Sequence, residues 1–396
     1  MAEAKSIWSA GNSRLQRAWD ATSLRALMFC PRYYQLSIIE GWRGSSVDLE
    51  FGILYHGALD VFDKARLAGK SKAEATLLAV RWALENSGHY VEVNPELPCG
   101  DPEELKQWVP WGGRYARMWR CTGLRDGEKV PYKNAKGNAA KCPYSHKGRW
   151  EQTEPPSICG ECGAEIEVQD VWWTERPDKD RPALIRMVCW YCEEQPEELG
   201  SSGVAPYAFP DGTPAVELNF VVPLPWQTPQ PLPLNGTVRE GEDYLLCGYL
   251  DGLRTFGDEM FVGERKTTKK GLNKGFWAGF SPHIQVDTYD VAGAAMFPNL
   301  PISGVLVEGA QALASGARFG YHLAYRNEAQ REEYMRDLRY WLDSAERYAE
   351  DGYWPMNRAN CWLCGFKGVC GKNPASREEI LKAEFEKSHW NPLEER

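Results

Sequence analysis

The chain lacks any run of about eighteen apolar residues, the length a membrane-spanning helix needs. Its opening stretch, MAEAKSIWSAGNSRLQ, has no apolar core of the kind a secretory leader requires, so the expected location is cytoplasmic. A nucleotide-binding loop is also missing. The nearest string, LAGKSK at residues 67–72, has no glycine-rich run before it, which argues against an ATPase or helicase engine. No internal repeat or low-complexity tract is present. Nor is there an excess of basic residues: the formal net charge is −9. That balance disfavours a protein that coats nucleic acid over its whole surface, but leaves room for a local basic groove. Positive residues do cluster between Arg265 and Lys274 (RKTTKKGLNK).

What the chain does have is length, tryptophan and cysteine. Its 396 residues suffice for one large domain or two ordinary ones, and it carries 17 tryptophans and 12 cysteines. In a reducing compartment, cysteines that recur in close pairs point to metal ligands more than to disulfides. Eight of the twelve fall into groups; Cys99, Cys121, Cys142 and Cys247 are left over.

Apolar periodicity predicts helices over 22–40, 47–68 and 72–87, with a kink or new first turn at Pro31. Gly and Pro crowd 94–113 and mark a boundary. Residues 114–200, rich in Cys, Trp, Pro and charge, read as an inserted module with short strands. Strand-like runs follow at 215–222, 244–256 and 259–268, with a proline-rich loop at 223–234. A helix is expected at 283–296, strands at 303–309 and 317–325, and a long polar helix at 327–350. The expected division is thus 1–95 (helical), 96–205 (insertion), 206–310 (α/β core) and 311–396 (a C-terminal strand, helix and cysteine cluster).

Two neighbouring strands carry the chemistry: Gly248-Tyr249-Leu250-Asp251-Gly252 and Gly263-Glu264-Arg265-Lys266-Thr267. Residues i and i+2 of a strand share a face, so Glu264 and Lys266 point the same way. A hairpin turning at Gly257-Asp258 brings Asp251 near Glu264. Two carboxylates with a lysine offer oxygen ligands for Mg²⁺ or Mn²⁺ and a cation to orient a water or offset developing charge. Gln285 and Tyr289, four residues apart, share one helix face and could contact a phosphate or the lysine.

This arrangement resembles the PD-(D/E)XK nuclease superfamily, and in particular its RecB-like branch, which includes the Cas4 proteins and the AddB nuclease domain. Asp251…Glu264-Arg265-Lys266 is similar to the two central motifs. Gln285 and Tyr289 match the Q-x-x-x-Y helix that follows, and Gly52 to His56 match an upstream G-x-x-x-H helix. The resemblance covers 22–68, 215–296 and 358–371, but not the insertion. It implies a mixed sheet flanked by helices and metal-dependent hydrolysis of DNA phosphodiesters. Asp251, Glu264 and His56 would be the metal ligands, with Glu217 a further carboxylate one strand earlier. Exonuclease action in DNA repair, recombination or phage DNA metabolism is the habit of that branch. Two other readings stay open: a non-catalytic or partner-dependent DNA clamp, and an end-processing factor of the Cas4 kind inside a larger complex.

Near the C-terminus, Cys361, Cys364 and Cys370 form C-x2-C-x5-C, three ligands in want of a fourth. The resemblance supplies it as Cys30, in Ser23-Leu24…Cys30-Pro31-Arg32-Tyr33, and implies a [4Fe–4S] cluster joining the two ends of the chain. The same donors also suit zinc. In the insertion, Cys159-x2-Cys162 and Cys189-x2-Cys192, separated by 26 residues, have the form of a zinc ribbon with a hairpin between the knuckles. Cys142 with His146 offers an additional or alternative site. The ribbon's aromatics Trp172, Trp173 and Trp190 could stack on DNA bases, or the module could dock a protein partner.

Overall fold

Asp20 sets the start of the first helix. Its carboxylate accepts the backbone N–H of Ser23 at 3.0 Å, satisfying one of the donors a helix start leaves open. A short strand, β1 (Ala18–Trp19), therefore leads straight into helix α1 (Ala21–Phe29). The helical stretch expected over 22–40, with a kink or new turn at Pro31, is interrupted at Cys30, whose backbone is extended (φ −169°). Pro31 then opens a new turn at a first-turn position, where its missing N–H costs nothing. Helices α2 (Val47–Leu67) and α3 (Lys72–Asn86) follow.

The computed structural model describes residues 6–44, 47–92, 106–145, 151, 154–201, 203–229 and 241–394. Cys99, His146, much of the expected boundary at 94–113 and part of the proline-rich stretch lie outside them. The chain forms two units: Met1–Ala83 with Ile185–Arg396, and Leu84–Leu184. The second both begins and ends earlier than the insertion expected at 96–205. Its strands pair antiparallel, β2 (Gly88–Glu92) with β3 (Lys106–Pro110) and β4 (Arg114–Cys121) with β5 (Ile166–Trp173). Helix α4 (Arg181–Glu194) carries the chain back into the first unit.

The first unit is mixed α/β. Its strands are β6 (Val204–Pro206), β7 (Val216–Gln227), β8 (Asp243–Phe256) and β9 (Glu259–Thr268), then β10 (Ile302–Leu313) and β11 (Gly316–Tyr325). Helix α5 (Ile284–Met296) lies between β9 and β10, and α6 (Glu328–Asp351) follows β11. Together with β1 these make a seven-stranded sheet in which β6–β8–β9–β10–β11 is the main path, and β7 and β1 also pair with β8. β8 and β9 form an antiparallel hairpin, while β9 and β10 run parallel because α5 crosses between them. Burial along β7 recurs at Val216, Phe220 and Leu224, as expected for a sheet with one face on the core. α6 instead buries Tyr334, Leu338, Leu342 and Ala345, a helical spacing. Trp19, Tyr34 and Trp354 stack in succession within the core, with centroids 5.5 and 4.9 Å apart. No described helix is long and apolar enough to cross a membrane.

One glycine in this sheet is required by its neighbours. Gly252 has φ +149°, and a Cβ there would come within 2.5 Å of the Ala215 carbonyl oxygen. Gly252→Ala is expected to cost more than about 1 kcal/mol, read as a lowered urea midpoint. An unchanged midpoint would mean that β7 moves aside freely.

Candidate active site and cysteine sites

The β8–β9 register pairs Gly252 with Gly263, so the next positions outward, Asp251 and Glu264, are neighbours across the hairpin. Asp251 is held twice. Its Oδ2 accepts the Arg265 backbone N–H at 2.7 Å, and its Oδ1 lies 3.5 Å from His56 Nδ1 on α2. Burial alone would raise the Asp251 carboxyl, but His56 and Arg265 hold it well below the ordinary carboxylate range. The imidazole responds in kind: burial opposes its charge, yet Asp251 and Glu264 raise its pKa. Glu264 differs. It is 2% exposed, and burial, with Asp251 adding repulsion, pushes it up to about 7 even though Lys266 contacts it. A buried carboxyl beside a second, ionised one is a place where a cation is favoured.

Lys266 Nζ also donates to Gln285 Oε1 at 2.6 Å, and Gln285 Nε2 donates to the Tyr289 hydroxyl at 3.0 Å. Asp251, Glu264, Lys266, His56, Gln285 and Tyr289 thus form one connected group drawn from α2, β8, β9 and α5. Glu217 sits opposite Asp251 on β7, between the pairs Val216–Gly252 and Leu218–Leu250. Its φ is +56°, uncommon for a residue with a side chain, and it pairs with Lys64 at 3.4 Å.

Beneath the site lies a network that spacing arguments missed. Arg265 does not belong to a basic surface: it is 2% exposed and pairs with Asp60 (2.7 Å) and Asp63 of α2. Arg254 pairs with Asp63 (2.8 Å) and Glu308 (3.1 Å), and Tyr191 donates to Glu308 at 3.0 Å. Burial lifts the Asp60 carboxyl to about 6 in spite of Arg265. The signal was present: His56, Asp60 and Asp63 stand four and three residues apart, on one face of a helix.

Cys30, Cys361, Cys364 and Cys370 line one cavity, together with Phe29, Tyr33 and Asn357. Asn357 N–H donates to Cys30 Sγ at 3.2 Å, and the Asn357 and Asn360 amides both donate to the Phe29 carbonyl, at 3.1 and 2.7 Å. The two ends of the chain therefore meet at these cysteines.

The zinc-ribbon set needs correction. Cys159 and Cys162 come together with Cys121 and Cys142, all four sulfurs lying within 4.8 Å of one another, and this group could hold a metal. Cys189 and Cys192 stand instead on α4, in the first unit. The stretch expected as a ribbon strand is a helix that buries Leu184, Met187, Val188, Tyr191 and Cys192, spaced three, one, three and one residues apart. Cys192 serves there as a small apolar side chain. Among the described residues, Cys121, Cys142, Cys159 and Cys162 are the only metal-ligand group that closes this tightly.

No protein-family model matches the chain, and no curated protein matches it either.

Proposed function

We propose that the chain is a metal-dependent deoxyribonuclease of the PD-(D/E)XK type, acting as an exonuclease on DNA ends in repair, recombination or phage DNA metabolism. The observation that carries this reading is the convergence of Asp251, Glu264 and Lys266 on adjacent strands, with His56 on Asp251 and Gln285 on Lys266. Asp251, Glu264 and His56 would hold Mg²⁺ or Mn²⁺, the imidazole favouring Mn²⁺. The bound ion would polarise the phosphodiester and make a water acidic enough to attack it. Lys266 is the lysine of the group and would orient that water or offset charge building on the phosphate. Gln285, itself held by Tyr289, fixes where the ammonium points. Cys30, Cys361, Cys364 and Cys370 would hold a [4Fe–4S] cluster. All four line one cavity, which gathers the four thiolates such a cluster takes.

The test is incubation of anaerobically purified protein with end-labelled single- and double-stranded DNA, in Mn²⁺, Mg²⁺ or EDTA. Metal-dependent shortening from an end is the expected result. Intact DNA in every metal, from protein with its iron fully loaded, would end the proposal.

A pH dependence follows from Glu264. Its carboxyl, at about 7 without metal, carries a proton below that pH and an ion must displace it. Mn²⁺ affinity is therefore expected to rise roughly tenfold or more per pH unit below about 7, and more steeply where His56, whose pKa is also raised, must shed its proton too. Titration calorimetry at pH 6, 7 and 8 reads this directly, and a flat profile would remove Glu264 from the ligand set.

A further inference from the structure

Among the described residues of the second unit, one cluster of buried side chains consists of Cys121, Cys142, Cys159 and Ala164, with Tyr132, Tyr144 and Ile166 packed against it. Three of its four members are thiols, which as free groups would make a small and weak cluster. Their spacing is specific. Cys121 and Cys162 sulfurs lie 3.4 Å apart, and those of Cys142 and Cys159 lie 3.6 Å apart. Four sulfurs at about 2.3 Å from one tetrahedral ion stand about 3.8 Å from each other. The group thus matches a single ion and is too tight to enclose a multi-iron cluster, in which each thiolate binds its own metal.

The backbone is arranged for thiolates. Gly123 N–H donates to Cys121 Sγ at 3.3 Å, two residues along the chain. Cys142 receives the corresponding bond from Tyr144, and Cys159 receives bonds from Glu161 and Cys162. Such N–H donors offset the negative charge of metal-bound sulfur. Gly163, at φ +73°, makes the turn after Cys162 that a side chain would resist. Four protein donors leave no open position, so the site is structural and not catalytic.

We propose that Cys121, Cys142, Cys159 and Cys162 bind one zinc ion that holds the second unit together, and that Cys189 and Cys192 take no part. The proposal is independent of the nuclease reading. The test uses the full chain. Metal analysis should give about one zinc per chain, and X-ray absorption at the zinc edge four sulfurs at about 2.3 Å. Zinc should fall to near zero in Cys142→Ser and stay unchanged in the double variant Cys189→Ser, Cys192→Ser. Because losing a ligand can unfold the unit, the unaltered chain is also alkylated with and without a chelator and mapped by mass spectrometry. Cys121, Cys142, Cys159 and Cys162 should react only after chelation. The proposal is overturned by zinc well below one per chain, nitrogen or oxygen in its first shell, or zinc retained in Cys142→Ser. Zinc lost from the double variant, or four thiols equally reactive before and after chelation, would overturn it as well.

Discussion

Asp251→Asn is expected to reduce metal-dependent DNA cleavage about a thousandfold or more while leaving the fold intact. That corresponds to roughly 4 kcal/mol of lost transition-state stabilisation. The amide keeps an oxygen for the Arg265 N–H, so the hairpin retains its 2.7 Å bond. What disappears is the negative charge, and Asp251 is the carboxyl of the pair that its surroundings keep ionised. Glu264 alone, prone to carry a proton near neutral pH, is a poor substitute ligand. The readouts are initial rates on end-labelled DNA and Mn²⁺ binding, which should weaken together. Lys266→Ala should also lose cleavage but keep most of the Mn²⁺ binding, because the lysine is not a ligand. Activity in Asp251→Asn within tenfold of the unaltered protein would show that the chemistry lies elsewhere.

The second large effect concerns stability. Arg265→Met is expected to lower the free energy of unfolding by about 3–5 kcal/mol, the usual cost of removing one partner from a buried ion pair. The methionine fills much of the space but removes the cation that pairs with Asp60 and leaves Asp63 to Arg254, which already serves Glu308. The loss should shrink on acidification, since Asp60 takes up a proton below about 6 and no longer needs a counter-charge. Urea unfolding at pH 7.5 and pH 5.5, followed by tryptophan fluorescence, measures both. A loss under about 1 kcal/mol at pH 7.5 would mean that the carboxylates reach water and the network contributes little.

The hairpin was legible in the sequence because two signals agreed there. Alternating apolar residues and the Gly257-Asp258 turn fixed the strands, and the observed β9 spans the expected 259–268. Helices with uninterrupted periodicity, such as α2 and α6, also fell within two residues of their expected bounds. The failures have physical causes. Over Arg181–Glu194 the cysteine pair dominated the reading, although the apolar residues already recurred at helical intervals. Cys121 was left unassigned and Cys142 was joined only to His146, because each stands alone in sequence, whereas a metal site is assembled in space by strands that return to one another. The Arg254–Arg265–Asp63–Glu308 network was hidden for the same reason. Its members come from four separate elements, α2, β8, β9 and β10, and each reads singly as an ordinary surface charge.

The strand β9 also has a bearing on how this protein can change over evolutionary time. Glu264 and Lys266 face the group that includes Gln285 of α5, while Arg265, between them, reaches Asp60 and Asp63 of α2. The residues of the proposed metal site and those of the buried ion-pair network are thus interleaved residue by residue on one strand. Loss or gain of a single residue between Gly257 and Glu264 would exchange the two faces, turning the arginine toward Gln285 and the carboxylate toward Asp60 and Asp63.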